Sequence, residues 1–101
     1  MMRPALLDPP AARAALEALN RLRDVPWTLH HDALTKTFRF AGFREAFDFM
    51  TRAAEAAEAL NHHPEWMNVY DRVEVRLTTH EVKGLTELDF RLAEALERAA
   101  A

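Results

Sequence analysis

The sequence predicts an α+β fold in which three helices pack on one face of a four-stranded antiparallel sheet. Three long stretches repeat apolar residues every three to four positions, as amphipathic helices do. Between them lie four shorter strand-like stretches, and in the clearest of these apolar and polar residues alternate. The resulting order is α-β-β-α-β-β-α. Helices covering one face of an antiparallel sheet are the usual packing for such a set of elements.

The first helix is predicted to begin after Asp8. The Asp8 side chain can accept hydrogen bonds from the free N–H groups of a helix start, and Pro9-Pro10 suit the first turn because they have no N–H to satisfy. Leucines follow at helical spacing, at Leu16, Leu19 and Leu22. Because Pro26 disfavours helical backbone at the residue before it, we expect this helix to end near Asp24.

The longest helix is predicted to begin after Gly42. It should end at about His62, because Pro64 restricts His63 to extended backbone. Its apolar residues form a broad band, made of Phe43, Phe47, Met50, Ala54 and Ala57 and widened by Phe49, Ala53, Ala56 and Leu60. A band this broad suggests contacts on more than one side of the helix, and a subunit interface is one explanation.

The remaining elements are four strands and a last helix. Strands are predicted over residues 27–31, 35–41, 66–70 and 73–79, with turns at residues 32–34 and 71–72 inside each pair. The last helix should follow Gly84 and Leu85-Thr86 and reach about Ala100, with a regular apolar stripe.

Length and composition predict a soluble cytoplasmic protein with one domain over residues 1–101. The chain has 13 basic and 16 acidic residues, a net charge of −3, which disfavours direct binding to nucleic acid. It contains no cysteine, so disulfides and thiolate metal sites are excluded. No stretch reaches the roughly 20 apolar residues of a membrane span, and the N-terminal stretch up to Asp8 is too short for a signal peptide.

Histidine is the residue type most able to carry chemistry here, since imidazole exchanges protons near neutral pH. His62 and His63 lie where the longest helix must end, and His80 lies at the end of the last strand. Glu58 stands four residues before His62, the spacing at which helix side chains meet. A pocket between a helix end and a strand end could gather all three imidazoles.

Simpler interpretations apply to other polar residues. His30 and His31 fall in a strand end and a turn, so we expect them to be exposed to solvent. Asp89 follows Thr86 at the spacing of a capping box, which competes with a direct role in a site. Trp27 is expected to pack in the core.

Several separated motifs together resemble the pterin-4a-carbinolamine dehydratase family. The set consists of Glu58, His62, His63, Pro64, Tyr70, His80 and Asp89. Around it stand Asn-His-His-Pro-Glu-Trp at 61–66, Thr-His-Glu at 79–81, Gly-Leu-Thr at 84–86 and Phe-Asp-Phe-Met-Thr-Arg at 47–52. The resemblance covers most of the chain from Trp27 onward. Lys83, where many members have a small residue, and Val82 are its departures, and neither is a titrating position of the motif.

The resemblance implies a hydro-lyase that removes water from a 4a-hydroxytetrahydropterin and so recycles the pterin cofactor of aromatic amino-acid hydroxylases. It also implies a homodimer or homotetramer. The implied catalytic residues are His62, His63 and His80, acting without a metal or other cofactor. Glu58 and Asp89 would support or orient them, and Trp66, Thr78 and Thr79 would contact the pterin.

Two other functions are alternatives to this one. Three histidines and a carboxylate could form a zinc site, but helical zinc ligands usually lie four residues apart, whereas His62 and His63 are adjacent. Some animal relatives bind a homeodomain transcription factor and stabilise its dimer. An interaction protein of that kind is therefore the second alternative.

Overall fold

The computed structural model describes residues 4–101, so Met1, Met2 and Arg3 of the stretch considered as a signal peptide lie outside it. Its elements are α1 (Pro9–Asn20), β1 (Thr28–His30), β2 (Ala33–Arg39), α2 (Phe43–Leu60), β3 (Glu65–Val69), β4 (Arg72–Leu77), a 3₁₀ turn (His80–Val82) and α3 (Glu87–Ala100). The strands pair antiparallel in the order β1-β2-β4-β3. This arrangement confirms the predicted fold class and the order of its elements.

The core lies between the three helices and one face of the sheet. Alternate residues of β4 are buried there together with Leu34 and Phe38 of β2, and the helices add apolar side chains to the same cluster. Phe49 of α2 is fully buried, with its ring centroid 4.8 Å from that of Phe38 and 5.0 Å from that of Phe40. The other face of the sheet remains open, and Met67 and Val69 of β3 are exposed on it. No helix within residues 4–101 is long and apolar enough to cross a bilayer.

The first helix begins as predicted but ends earlier. Oδ1 of Asp8 accepts a hydrogen bond from the N–H of Ala11, at 2.9 Å. The helix ends at Asn20 rather than near Asp24, because the Asn20 side chain bonds the backbone of Trp27 through both its oxygen (2.7 Å) and its nitrogen (2.9 Å). Leu22 was predicted to belong to the apolar stripe, but its backbone adopts the left-handed conformation and its side chain is almost fully exposed.

Both strand pairs turn one or two residues earlier than predicted. β2 begins at Ala33 because His31, at φ 54°, and Asp32 make the turn. Ala33 belongs to the strand, where it pairs with His30. The second turn shifts in the same way, because Tyr70 adopts φ 50° and Arg72 already pairs with Val69. β4 ends at Leu77, two residues before the predicted end.

The apolar band of α2 faces two directions. Ala46, Phe49, Ala53 and Ala57 are buried against the core. Phe43 and Phe47 are about half exposed, with ring centroids 5.7 Å apart. The apolar band is therefore wider than the side of α2 that the core buries, while contacts on the outer side, including a subunit interface, stay a prediction. The last helix, α3, confirms the predicted bounds.

Candidate active site

Helix α2 ends before the two adjacent histidines, so neither His62 nor His63 belongs to it. Asn61 adopts φ 48°, and its N–H bonds the carbonyl of Glu58 at 3.1 Å. The N–H of His62 reaches back to the carbonyl of Ala57 at 3.0 Å. These are the two bonds of a Schellman motif, which ends a helix with a sharp change of direction. The helix therefore stops at Leu60, two residues before the predicted end, and His62 and His63 lie outside it.

His62 is directed into the protein. Its side chain is buried, and its Nε2 lies 2.6 Å from Oδ1 of Asp89, a fully buried carboxylate in the first turn of α3. The other oxygen of Asp89 accepts hydrogen bonds from the Thr79 hydroxyl at 2.7 Å and from the Thr86 N–H at 2.9 Å. The capping box expected at Thr86 and Asp89 is present. Asp89 thus caps α3 and holds His62 with the same carboxylate.

His63 is directed outward and pairs with Glu58. Its Nε2 lies 2.5 Å from Oε2 of Glu58, and both side chains are exposed. The spacing in the sequence indicated His62 as the partner of Glu58, and this expectation was wrong. The reason is the early end of α2, which turns His62 inward and leaves His63 beside the last turn of the helix.

His80 pairs with a carboxylate that the sequence did not reveal. It begins the 3₁₀ turn after β4, and its Nε2 lies 2.7 Å from Oε2 of Glu65 on β3. The hydrogen bond from His80, together with the nearby charge of Arg76, holds the pKa of Glu65 below its usual 4.5. Glu65 also lies directly opposite Arg76 in the β3–β4 register, a relationship that local spacing in the sequence does not reveal.

The three histidines line one cavity of about 270 Å³. Its lining consists of Asn61, His62, His63, Pro64, Glu65, Thr78, His80, Glu81 and Leu88. This volume lies just below the range of about 300–1,000 Å³ typical of drug-sized ligands, so it suits a compact one. Larger cavities of about 320, 430 and 460 Å³ lie elsewhere; the first is lined by a single histidine, His31, and the other two by none. Chemical content rather than size therefore identifies the candidate site.

The other predicted site residues lie behind this cavity or at its wall. Thr78 lines it, and its hydroxyl donates to the carbonyl of Asp32 at 2.7 Å. Thr79 is fully buried and bonded to Asp89, while Trp66 packs against the hydrophobic core. Within residues 4–101, no group of three or more histidines and carboxylates is arranged to hold a metal ion.

The fold and the site together define a class of protein. Three imidazoles, each hydrogen-bonded to a carboxylate, line a small cavity in an α+β fold with an antiparallel sheet. This arrangement is suited to acid–base chemistry. The sequence model described as Pterin 4 alpha carbinolamine dehydratase matches residues 6–99. The chain therefore belongs to the pterin-4a-carbinolamine dehydratase family.

Individual relatives agree with this assignment. A protein of Sinorhizobium fredii, provisionally named a pterin-4-alpha-carbinolamine dehydratase, is 54% identical over 102 residues, which cover 99% of this chain and 92% of the relative. A protein of Rhizobium johnstonii with the same provisional name is 64% identical over 77 residues, 74% of this chain and 76% of the relative.

Solved structures show the same fold. A transcriptional coactivator/pterin dehydratase from Brucella melitensis superposes with a TM-score of 0.87 at 41% identity, covering 96% of this chain and all of that one (100%). A pterin dehydratase-like protein described as a RuBisCO assembly factor in the alpha-carboxysome has a TM-score of 0.64 at 17% identity, covering 79% and 93%. At that identity, the second likeness concerns the fold alone.

Proposed function

We propose that this protein removes water from a 4a-hydroxytetrahydropterin, using histidines as proton donors and acceptors. The observation that carries the proposal is the gathering of His62, His63 and His80 around one small cavity, each bonded to its own carboxylate. Imidazole can both donate and accept a proton near neutral pH, and a carboxylate partner fixes the orientation of the ring. Family membership supplies the class of substrate.

The reaction requires one proton donor and one proton acceptor. The bond between C4a and the hydroxyl oxygen breaks, its electrons stay with the oxygen, and a protonated imidazole supplies the proton that lets water leave. The N5–H bond gives its proton to a neutral imidazole, and its electrons form the C4a=N5 double bond of the quinonoid dihydropterin. Such acid–base help supplies about 10²–10⁴-fold acceleration.

The surroundings of each ring favour a division of these tasks. His63 and His80 are exposed at the cavity wall, so in this proposal they lie near the leaving hydroxyl. His62 is buried and bonded to Asp89, which suits a residue that positions the pterin ring or acts as the partner base. Glu58 and Asp89 orient the imidazoles that they contact.

The proposed contacts to the substrate follow from the same geometry. Thr78 lines the cavity and offers its side chain to the polar edge of a pterin. Thr79 and Trp66 support the site from behind in this proposal, because the first is bonded to Asp89 and the second packs in the core.

A stopped-flow assay with enzymatically generated 4a-hydroxytetrahydropterin tests the proposal. We expect the wild-type protein to accelerate dehydration, and His62→Ala, His63→Ala and His80→Ala each to lose a large part of that acceleration. The matched control is His30→Ala, a histidine outside the cavity lining, which should retain the wild-type rate. Wild-type rates in all three site variants would overturn the assignment.

The physiological setting belongs to the same proposal. The protein would work in the cytoplasm as a homodimer or homotetramer and recycle the pterin cofactor of aromatic amino-acid hydroxylases. The alternative is an interaction protein for a transcription regulator. Two observations support this alternative. The Brucella melitensis protein is described as a transcriptional coactivator as well as a pterin dehydratase, and Phe43 and Phe47 are exposed on α2. If the purified protein does not accelerate dehydration, this alternative gains.

A further inference from the structure

We propose that Glu65 is a positioning residue for His80: it holds the imidazole at the cavity wall, and Arg76 in turn holds Glu65. This inference rests on the proposed dehydratase function and extends it to a carboxylate that the motif comparison left without a role. It also assigns the proton-exchanging atom of His80. Because Nε2 is engaged by Glu65, proton exchange with the substrate falls to Nδ1.

The sheet register places the carboxylate. Glu65 on β3 lies directly opposite Arg76 on β4. Nη1 of Arg76 lies 3.2 Å from each carboxylate oxygen, and Oε2 also lies 2.7 Å from Nε2 of His80. An ionised carboxylate only accepts hydrogen bonds, so Nε2 must carry a hydrogen. The contact therefore selects the tautomer of the neutral ring that carries its hydrogen on Nε2.

The loop that carries His80 explains why such a contact is needed. Its base is closed by the bridge between Thr79 and Gly84, but His80 itself stands in a 3₁₀ turn with an exposed side chain. An exposed long side chain samples several rotamers unless a partner selects one. Exposed ion pairs contribute little to stability, so we expect the loss of Glu65 to affect the orientation of the ring more than the fold.

Several charged groups surround His80. Glu65 approaches from β3, Arg76 acts from β4 through Glu65, Glu81 follows in the same turn, and His62 and His63 lie across the cavity. The low pKa of Glu65 agrees with the contact, because the hydrogen bond from His80 is its largest cause.

The kinetic test compares Glu65→Gln with a matched control. Gln keeps the shape of the side chain but removes its charge. We expect kcat to fall about tenfold, with KM within about twofold, because the His80 ring loses the partner that orients it. Glu65→Asp, which keeps the charge, should recover part of kcat. The control is Glu74→Gln on the same sheet face, which removes the ion pair with Arg72 at 3.2 Å and should leave the rate unchanged.

A second measurement does not depend on activity. The two ring nitrogens of His80 are followed by ¹⁵N NMR at alkaline pH, with their signals assigned from His80→Ala. In the wild type they should show the hydrogen on Nε2, the nitrogen that contacts Glu65. Glu65→Gln should weaken this preference, because an amide can donate as well as accept, whereas Glu74→Gln should keep it. An unchanged tautomer together with an unchanged kcat in Glu65→Gln would overturn the inference. An inactive wild-type protein whose tautomer changes in Glu65→Gln would overturn the proposed function and leave the contact between Glu65 and His80 supported.

Discussion

His62 and Asp89 form the buried half of the site: Nε2 of His62 lies 2.6 Å from Oδ1 of a carboxylate that is fully buried. The same carboxylate accepts hydrogen bonds from the side chain of Thr79 and the backbone of Thr86. A buried carboxylate is stable only when its oxygens are satisfied. The imidazole is therefore part of the folded structure as well as of the proposed chemistry.

Removing this carboxylate should damage both folding and activity. Asp89→Ala leaves three donors without an acceptor, and breaking a buried pair in this way costs about 3–5 kcal/mol. Urea denaturation measures that loss, and the dehydration assay should show a lower kcat in the remaining folded protein. The control is Glu87→Ala, an exposed residue in the same first turn, which should lose under about 1 kcal/mol. A stable, fully active Asp89→Ala would show that Asp89 has neither role.

Alanine at His62 and at His63 should separate stability from rate. His62→Ala removes a buried side chain and leaves Oδ1 of Asp89 without its partner, which costs about 1–3 kcal/mol. The His63 side chain is 55% exposed, so His63→Ala should change the free energy of unfolding by less than about 1 kcal/mol. Both variants should lower kcat. Equal losses of stability would contradict the burial difference seen between the two rings.

The fold class could be predicted from the sequence because the spacing of apolar residues reveals helices and strands. The stripes of α2 and α3 and the alternation in β4 come from the same burial that forms the core. Turn positions were missed by one or two residues because His31 and Tyr70 adopt left-handed backbone, which side chains other than glycine signal poorly. The end of α1 depended on the side chain of Asn20 reaching Trp27, a contact seven residues away in the chain.

The sequence predicted the three histidines of the candidate site together with Glu58 and Asp89, but it assigned Glu58 to the wrong histidine and did not indicate Glu65. Helix spacing placed Glu58 beside His62, yet the early end of α2 gives it to His63. Glu65 could not be predicted because its two partners, Arg76 and His80, lie on β4 and in the turn that follows it. Local spacing in the sequence does not reveal a strand register. Pairings across a sheet become visible only when the fold is known.

The hydroxyl of Thr79 should matter to the site although the residue is fully buried. Thr79→Val keeps the shape but removes the donor to Asp89 and the hydrogen bond to the Thr86 hydroxyl at 2.9 Å. We expect a loss of about 1–3 kcal/mol and a lower kcat, because Asp89 can then shift away from His62. Thr79→Ser keeps the hydroxyl and should retain more of kcat than Thr79→Val. If both variants have the same kcat, the hydroxyl does not support His62.

The lowered pKa of Glu65 gives the folded protein a pH dependence of defined sign. In the folded state the hydrogen bond from His80 and the charge of Arg76 favour the ionised carboxylate, so its pKa lies below the usual 4.5. The unfolded chain then binds more protons than the folded one at pH values between these two pKa values. The stabilisation is complete above about pH 4.5 and is lost as the pH falls through the folded pKa.

The Glu65 side chain is 44% exposed, so solvent screens its charge. We therefore expect its pH-dependent contribution to the free energy of unfolding to stay under about 1 kcal/mol. Urea denaturation of the wild-type protein and of Glu65→Gln measures it. The wild type should be the more stable at neutral pH, and the difference should vanish well below pH 4.5. High salt should shrink the difference at neutral pH, because exposed charges are screened. A difference that grew as the pH fell would mean that the contacts of Glu65 favour its protonated form instead.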